Sequence, residues 1–455
     1  MNKVALGGGV FLAPGYENEK AILSRFEIAN PEYQMAMGMR KQGRYVPIPD
    51  KHINACHRIP YDHPWGGGLA VPRKAAAQMD LGKIVDVRTD PVAQTLKLAK
   101  GFSLREYQLK ALDCWRSNGG EGVVIAPCGA GKTAIGVAAM TEYDTKALVL
   151  VHTNDLAVQW MNRIESMLNE KATQYGAGKK DDSGRIVVAT FQTLERMSFT
   201  ERYTFGRQFG LCIVDEAHHV PAHTFCSVMF CMPARYRLGL TATPERPDGL
   251  TSILWWHFGS PVYEITNEQL TISGHVVAPE IEWLFTDYTG PPNRVDWSKL
   301  ITKMTTDDGR NEKILKRILD ACREGRQILV LSDRVDHCIL MADMLQSHGI
   351  VAEPLVGRMT KKQRTQVLQR ANDREIQVVC ATTVADEGLD LPSLDTVVLT
   401  TPTKAMGRIQ QRIGRVMRPH PQKKNPIVID CVDDSGPMRG LARKRHRLYT
   451  KLGCS

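Results

Sequence analysis

The sequence predicts an α/β chain: two consecutive doubly wound domains with parallel sheets, preceded by a small accessory domain. Three observations carry this. From about residue 101 to 265, short continuous apolar runs alternate with helical stretches. The same alternation resumes from about 311 to 435. The length of 455 residues accommodates about three domains. Apolar runs that do not alternate with polar residues suit strands buried on both faces, as in parallel sheets.

Residues 1–100 are punctuated by Pro47, Pro49, Pro60, Pro64 and Pro72 and lack a helical period. They read as a small accessory domain, β-rich or mixed. In the first α/β domain (101–265) the strand-like runs are Val123–Ala126, Ala147–Val151, Ile186–Ala189, Leu211–Val214 and Arg237–Leu240. Residues 266–310 hold the turn Thr289-Gly-Pro-Pro292 and little periodicity, so they read as a connector. In the second domain (311–435) the strand-like runs are Ile328–Leu331, Ile376–Ala381, Thr396–Leu399 and Pro426–Ile429. Helices are expected at Asp336–Ser347, Lys361–Arg370 and Ala405–Val416, before a basic tail over 436–455. Two such domains in tandem imply a cleft between them.

Composition is ordinary for a globular enzyme, with 43% hydrophobic and 24% charged residues. The formal net charge of +10 favours a polyanionic partner, although a mildly basic enzyme would fit as well. Eleven scattered cysteines without a Cys-x-x-Cys pair exclude a disulfide framework and suit a reducing cytoplasm, bacterial or phage-infected. His218, His219, His223, Cys226 and Cys231 crowd one stretch, but no second cluster completes a zinc site, so no structural metal is expected. The opening Met1–Pro14 lacks the apolar core of a secretory leader, and no run is long enough to span a bilayer.

Ala126-Pro127-Cys128-Gly129-Ala130-Gly131-Lys132-Thr133 follows an apolar strand and opens a helix, the setting a phosphate-binding loop needs. Glycines let the backbone turn its N–H groups toward phosphate oxygens, and the helix N-terminus adds a favourable dipole. Lys132 would reach the β- and γ-phosphates of ATP, and Thr133 would ligate Mg2+. Ile213-Val-Asp-Glu-Ala-His218 ends a second buried strand, where open α/β sheets bind ligands. Asp215 would hold Mg2+ through water, and Glu216 would orient and deprotonate the attacking water. Asp215 could instead be a helix N-cap, but the phosphate loop upstream in the same domain favours the metal role.

With these motifs in place, the chain resembles a superfamily 2 helicase of the DEAH type, in the XPB-like and UvsW-like group, from about Leu104 to Pro419. The resemblance implies two RecA-like lobes. Leu104-Arg105-Glu-Tyr-Gln108 resembles the motif that reads adenine, with Arg105 and Gln108 at the nucleotide. Leu148–Trp160 resembles motif Ia, Thr190-Phe-Gln-Thr193 motif Ib, and Leu240-Thr241-Ala-Thr243-Pro244 motif III. Leu329–Arg334 resembles motif IV, and Ala381–Pro392 motif V, placing Gly388 and Asp390 at the nucleotide. Gln411-Arg412-Ile-Gly-Arg415-Val-Met-Arg418 resembles motif VI. Thr153, Thr190, Ser332, Thr382 and Thr383 are then candidates for phosphate contacts along a nucleic acid. Thr241, Thr243 and Gln411 would couple hydrolysis to lobe movement. XPB-like proteins have Arg-Glu-Asp after motif III; here it is Arg246-Pro247-Asp248. Asp308-Gly-Arg-Asn311 and Ser332-Asp-Arg-Val-Asp-His337 are similar to segments of compact phage helicases.

Arg412, Arg415 and Arg418 recur at a spacing of three and so share a broad helical face. Arg415 and Arg418 match the positions that stabilise transition-state charge on the γ-phosphate. A solvated basic face is the competing reading, and the phosphate loop's need for a partner arginine decides against it. For the tail Arg439–Arg447, phosphate contacts and a packed helix using Leu441, Leu448 and Leu452 both remain open. The resemblance implies ATP-dependent 3′-to-5′ movement on DNA, forked or branched, in replication, recombination or repair. RNA as substrate, or an ATP-gated clamp that does not move, are the alternatives.

Overall fold

The computed structural model describes the chain apart from residues 1–3, 42, 44, 64, 91–94, 128, 217–221, 243–248, 275, 291–295, 383–390, 392, 403–408, 411, 415–416, 418–419, 421–422 and 455, with backbone only at 77, 222, 361, 436 and 437. The chain falls into two compact units, Met1–Ala126 with Gly131–Ile265, and Thr266–Ser455 with Pro127–Ala130. Each holds a parallel α/β sheet. No helix among the described residues is long and apolar enough to cross a membrane.

The first unit's main sheet has eight strands in the order Lys179–Lys180, Thr173–Gly176, Ile186–Thr190, Ala147–Val151, Leu211–Asp215, Tyr236–Thr241, Glu121–Ile125 and Pro261–Glu264. All pairings are parallel except the outermost one, between Thr173–Gly176 and Lys179–Lys180. Every residue of the strands Glu121–Ile125, Ala147–Val151, Ile186–Thr190 and Leu211–Asp215 is buried. That two-sided burial is why the runs read as continuous apolar segments.

Residues 1–100, expected as an accessory domain, are built into this unit. Their five-stranded sheet runs His57–Arg58, Leu69–Val71, Val10–Leu12, Val4–Leu6 and Val85–Asp86. Phe11 and Val71 lie in the same core cluster as Tyr203 and Phe230 of the larger sheet's helices. Gly8 shows how close the two layers come, since a Cβ there would lie 2.0 Å from the Phe230 carbonyl oxygen. Arg237, fully buried, donates to the carbonyls of Gly8 (2.6 Å), Met232 (2.5 Å) and Met229 (3.2 Å). Backbone carbonyls thus replace the water this guanidinium gives up. Arg73 extends the seam to Ala234 O (2.7 Å) and Glu121 (2.5 Å).

His257 sits in the same core, with Phe225 and Phe230 rings 5.4 and 5.1 Å away, and its ring nitrogens have no hydrogen-bond partner among the described residues. Burial, reinforced by the charge of Arg237, pushes its pKa down to about 3. The unfolded chain therefore takes up a proton below about pH 6.5 that the folded chain refuses, and stability falls as pH drops toward 3. From pH 7.5 to 5.0 this group removes about 2 kcal/mol. His257→Leu is expected to abolish that share, measured as the difference in acid-induced loss of stability between parent and variant. An equal loss in both would refute the assignment.

The second unit carries six parallel strands in the order Glu280–Phe285, Ile427–Val432, Thr396–Leu399, Ile328–Leu331, Val378–Ala381 and Ala352–Leu355. Glu280–Phe285 lies inside the stretch read from the sequence as connector. As an edge strand it is mostly half-buried or exposed, so it lacks the continuous apolar run that marked the others. Trp297–Thr305 in the same stretch is a helix. The basic tail forms the helix Gly436–Lys451, anchored to the sheet where Arg445 donates to both oxygens of Asp430 (2.6 and 2.8 Å) and Tyr449 donates at 2.6 Å.

Candidate nucleotide and nucleic-acid sites

The phosphate loop joins the strand Glu121–Ile125 to the helix Lys132–Ala139. Gly129 and Gly131 adopt φ of 90° and 78°, conformations that glycine reaches without a Cβ penalty. Gly131 has a second reason: a Cβ there would lie 2.5 Å from Gln108 Nε2. The predicted adenine-reading glutamine is thus held against the loop. Its Oε1 accepts from the Arg105 backbone N–H at 3.0 Å, closing the cap of the helix Glu106–Ser117, while the Arg105 side chain donates to Tyr107 Oη at 2.8 Å. The Ala126 N–H donates to Thr241 O (2.8 Å), tying the loop to the strand that leads into motif III.

Lys132 and the paired acids meet in this unit. Lys132 Nζ lies 3.0 Å from Glu216 Oε1 and donates to Ala126 O at 3.3 Å. Glu216 has φ of 49°, left-handed backbone that a side chain with a Cβ adopts only under constraint. Its N–H donates to Leu240 O (2.9 Å), and its Oε2 accepts from the Ala242 N–H (3.4 Å). Asp215 ends its strand, buried, with Oδ2 accepting from Trp160 Nε1 at 2.8 Å. Its Oδ1 is buried without a hydrogen-bond partner among the described residues. Burial first, then the neighbouring charge of Glu216, pushes the Asp215 carboxyl up to about 6, against the pull of Lys132. A buried carboxylate with one oxygen open is the kind of group that a divalent cation satisfies. Thr133, half-buried at the second residue of the loop helix, is the other predicted cation ligand.

The described candidates for strand contact, Thr153, Thr190, Ser332 and Thr382, lie at or just past the carboxyl ends of strands in both sheets. Thr153 and Thr190 cap the helices Asn154–Leu168 and Phe191–Glu195, each accepting from an N–H at 3.3 Å. Their helix N-termini carry amides suited to phosphate. Ser332 is buried, its hydroxyl 2.9 Å from His337 Nδ1, and Thr382 is buried one residue past its strand. Ser332 therefore braces the loop after motif IV rather than presenting a hydroxyl outward. Arg412 of motif VI is buried, 3.9 Å from Asp333 of that same loop. Thr241 is buried at the end of its strand. Cys128, Thr243, Thr383, Gly388, Asp390, Gln411, Arg415 and Arg418 lie outside the described residues, as do His218 and His219. Cys226 and Cys231 belong to the apolar core, and burial pushes the Cys231 thiol up to about 12.

Residues 101–246 match the family described as type III restriction enzyme, res subunit, and residues 310–420 match the helicase conserved C-terminal domain. Together the two matches cover more than half of the chain, in the order its motifs run. The chain is a superfamily 2 helicase. It is 29% identical to a predicted ATP-dependent RNA helicase of Acanthamoeba polyphaga mimivirus, over 73% of this chain and 64% of that one, just under two thirds of the relative's length. It is 26% identical to the DNA 3′-5′ translocase XPB2 of Sulfurisphaera tokodaii, over 76% of this chain and 84% of the relative. It is also 26% identical to the DNA 3′-5′ helicase XPB of Mycobacterium tuberculosis, over 82% and 68%. The structure of S. cerevisiae Dbp5 bound to RNA and ADP BeF3 aligns with a TM-score of 0.58 at 15% identity, covering 76% of this chain and 88% of that one. That likeness bears on the tandem RecA-like fold alone.

Several residues that shape the helicase's sites carried no separable signal in the sequence. Trp160 reads as one more apolar helix position, yet it donates to Asp215. Its one trace is Gly136, an otherwise costly glycine inside the loop helix, whose Cβ would lie 2.5 Å from the Trp160 ring. Asn311, noted only as part of a motif, accepts through its Oδ1 from His337 Nε2 at 3.0 Å and donates from its Nδ2 to Thr305 O at 3.0 Å. Burial, and then the charge of Arg310, pushes the His337 pKa down to about 3, keeping the ring neutral between Ser332 and Asn311.

Proposed function

We propose that this helicase uses ATP hydrolysis to move 3′ to 5′ along DNA and to unwind or remodel forked or branched DNA in replication, recombination or repair. The observation that carries the reading is the pairing of Lys132 and Glu216, 3.0 Å apart, beside a buried Asp215 with one oxygen open. The DNA assignment is supported by the XPB relatives, both described by 3′-5′ action on DNA.

The residues divide the work as follows. Amides of Gly129 to Thr133 and the Lys132 ammonium bind the phosphates, and Gln108, Arg105, Gly388 and Asp390 fix the rest of the nucleotide. When Lys132 turns to the phosphates it releases Glu216, which then orients water and accepts its proton. Thr133 and Asp215 would hold Mg2+, which supplies charge neutralisation at the phosphate oxygens. Arg415 and Arg418 are proposed to counter the charge that develops on the γ-phosphate. Thr241, Thr243 and Gln411 would couple turnover to movement, and Thr153, Thr190, Thr382 and Thr383, with the loops they end, would follow phosphates without reading bases, Ser332 bracing its loop from within.

The test is an ATPase and unwinding panel over forked DNA, Holliday junctions, plain duplex, single-stranded DNA and RNA. Forked or branched DNA is expected to stimulate most, with activity falling steeply as salt rises. Stimulation by RNA equal to or above that by DNA would overturn the DNA assignment and favour the reading suggested by the mimivirus relative.

A further inference from the structure

The last helix, Gly436–Lys451, has two unlike faces. Leu441, Arg445 and Tyr449 are buried against the sheet of the second unit, and Tyr449 and His446 lie 5.6 and 6.0 Å from the Trp283 ring. Opposite them, Arg439, Arg443, Arg447 and Lys451 recur every four residues, with Lys444 beside them, and all five are exposed. At 1.5 Å per residue this row is about 18 Å long with a charge about every 6 Å.

Nothing within the helix balances the row. It contains no Asp or Glu. Among the described residues its ion pairs are Arg439–Asp434 and the buried Arg445–Asp430. Like charges four apart repel and weaken a helix, so the arrangement works against local stability. The helix dipole favours cations in the last turn, which covers Lys451 but not Arg443, Lys444 and Arg447 before it. The buried Arg445–Asp430–Tyr449 cluster holds the helix so that the row stays outward.

We propose that this face is a second nucleic-acid grip that takes the phosphate backbone of a double-stranded arm, outside the strand-end contacts of the motor. The inference rests on the reading of the chain as a DNA motor. A duplex strand presents a phosphate about every 3.4 Å of rise, so a row of this length faces several of them. The exposed row carries no aromatic side chain, and single-strand grooves combine cations with aromatic stacking platforms. Contacts of this kind carry no sequence preference.

The full chain is compared with the variant Arg443→Gln, Lys444→Gln, Arg447→Gln, Lys451→Gln. A labelled random-sequence duplex and a single strand of equal length are titrated between 50 and 200 mM salt. On the duplex, the slope of log affinity against log salt is expected to fall by about 3.6, near 0.9 for each of the four phosphate contacts removed, with affinity at least about tenfold weaker. Melting temperature and ATPase without nucleic acid should match the parent. Equal duplex slopes and affinities in parent and variant overturn this inference while leaving the motor reading intact. A loss confined to the single strand overturns the duplex assignment. A parent that binds neither probe overturns both readings. Should the fourfold variant fail to fold, Arg443→Gln alone is expected to lower the duplex slope by about 1, and an unchanged slope overturns the inference.

Discussion

Replacing Glu216 by Gln is expected to slow ATP turnover by about a hundredfold to ten-thousandfold, the range that a positioned general base contributes, while ATP still binds. The amide keeps the size and can still accept from the Ala242 N–H, so the loop geometry survives. It cannot accept a proton from water. The exchange also removes the negative charge 3.0 Å from Lys132, leaving that ammonium available to the phosphates. Nucleotide affinity should therefore hold or tighten, because Lys132 no longer has to leave an ion pair to reach the phosphates. The same loss relieves the charge that helps to raise Asp215, whose pKa should move down from about 6. Fluorescent-nucleotide titration and single-turnover hydrolysis separate the two effects. Hydrolysis at the parent rate would show that Glu216 is not the base, and loss of binding would show that it supports the loop rather than the chemistry.

Asp433→Ala is expected to be the most destabilising single change in the second unit, by about 3–5 kcal/mol, the usual result of stripping the partner from a buried charge. Asp433 and Arg310 are both fully buried, with Arg310 Nε 2.6 Å from Asp433 Oδ1. The same oxygen accepts from Thr286 Oγ1 (2.5 Å), and Arg310 Nη2 donates to Thr400 O (2.5 Å). One ion pair thus gathers the ends of three neighbouring strands, Glu280–Phe285, Thr396–Leu399 and Ile427–Val432. Without the carboxylate the guanidinium stays buried with no counter-charge. Arg310→Met combined with Asp433→Leu should recover most of the loss, because a packed apolar pair avoids desolvating either ion. Denaturant unfolding followed by a probe in the second unit measures both variants. A loss under about 1 kcal/mol for Asp433→Ala would place the pair among the weak surface bridges instead.

The sequence by itself determined the parts of this helicase whose chemistry is local. A glycine turn before a helix, with a lysine and a threonine at its start, needs only consecutive residues to aim amides at phosphate. Asp215 and Glu216 are adjacent at the end of one strand for the same reason. The buried strands were legible because two-sided burial leaves an unbroken apolar run; Ala147–Val151, Ile328–Leu331 and Thr396–Leu399 have the bounds their runs suggested. The tertiary structure alone decided the pairings between distant residues. Trp160 reaches Asp215 across 55 positions, His337 reaches Asn311 across 26, and Arg310 reaches Asp433 across 123. It also decided that the first hundred residues share the core of the first unit, through Gly8, Arg73 and Arg237. A buried polar group is satisfied by whichever partner the fold brings within about 3 Å, and no local window of sequence records who that neighbour is.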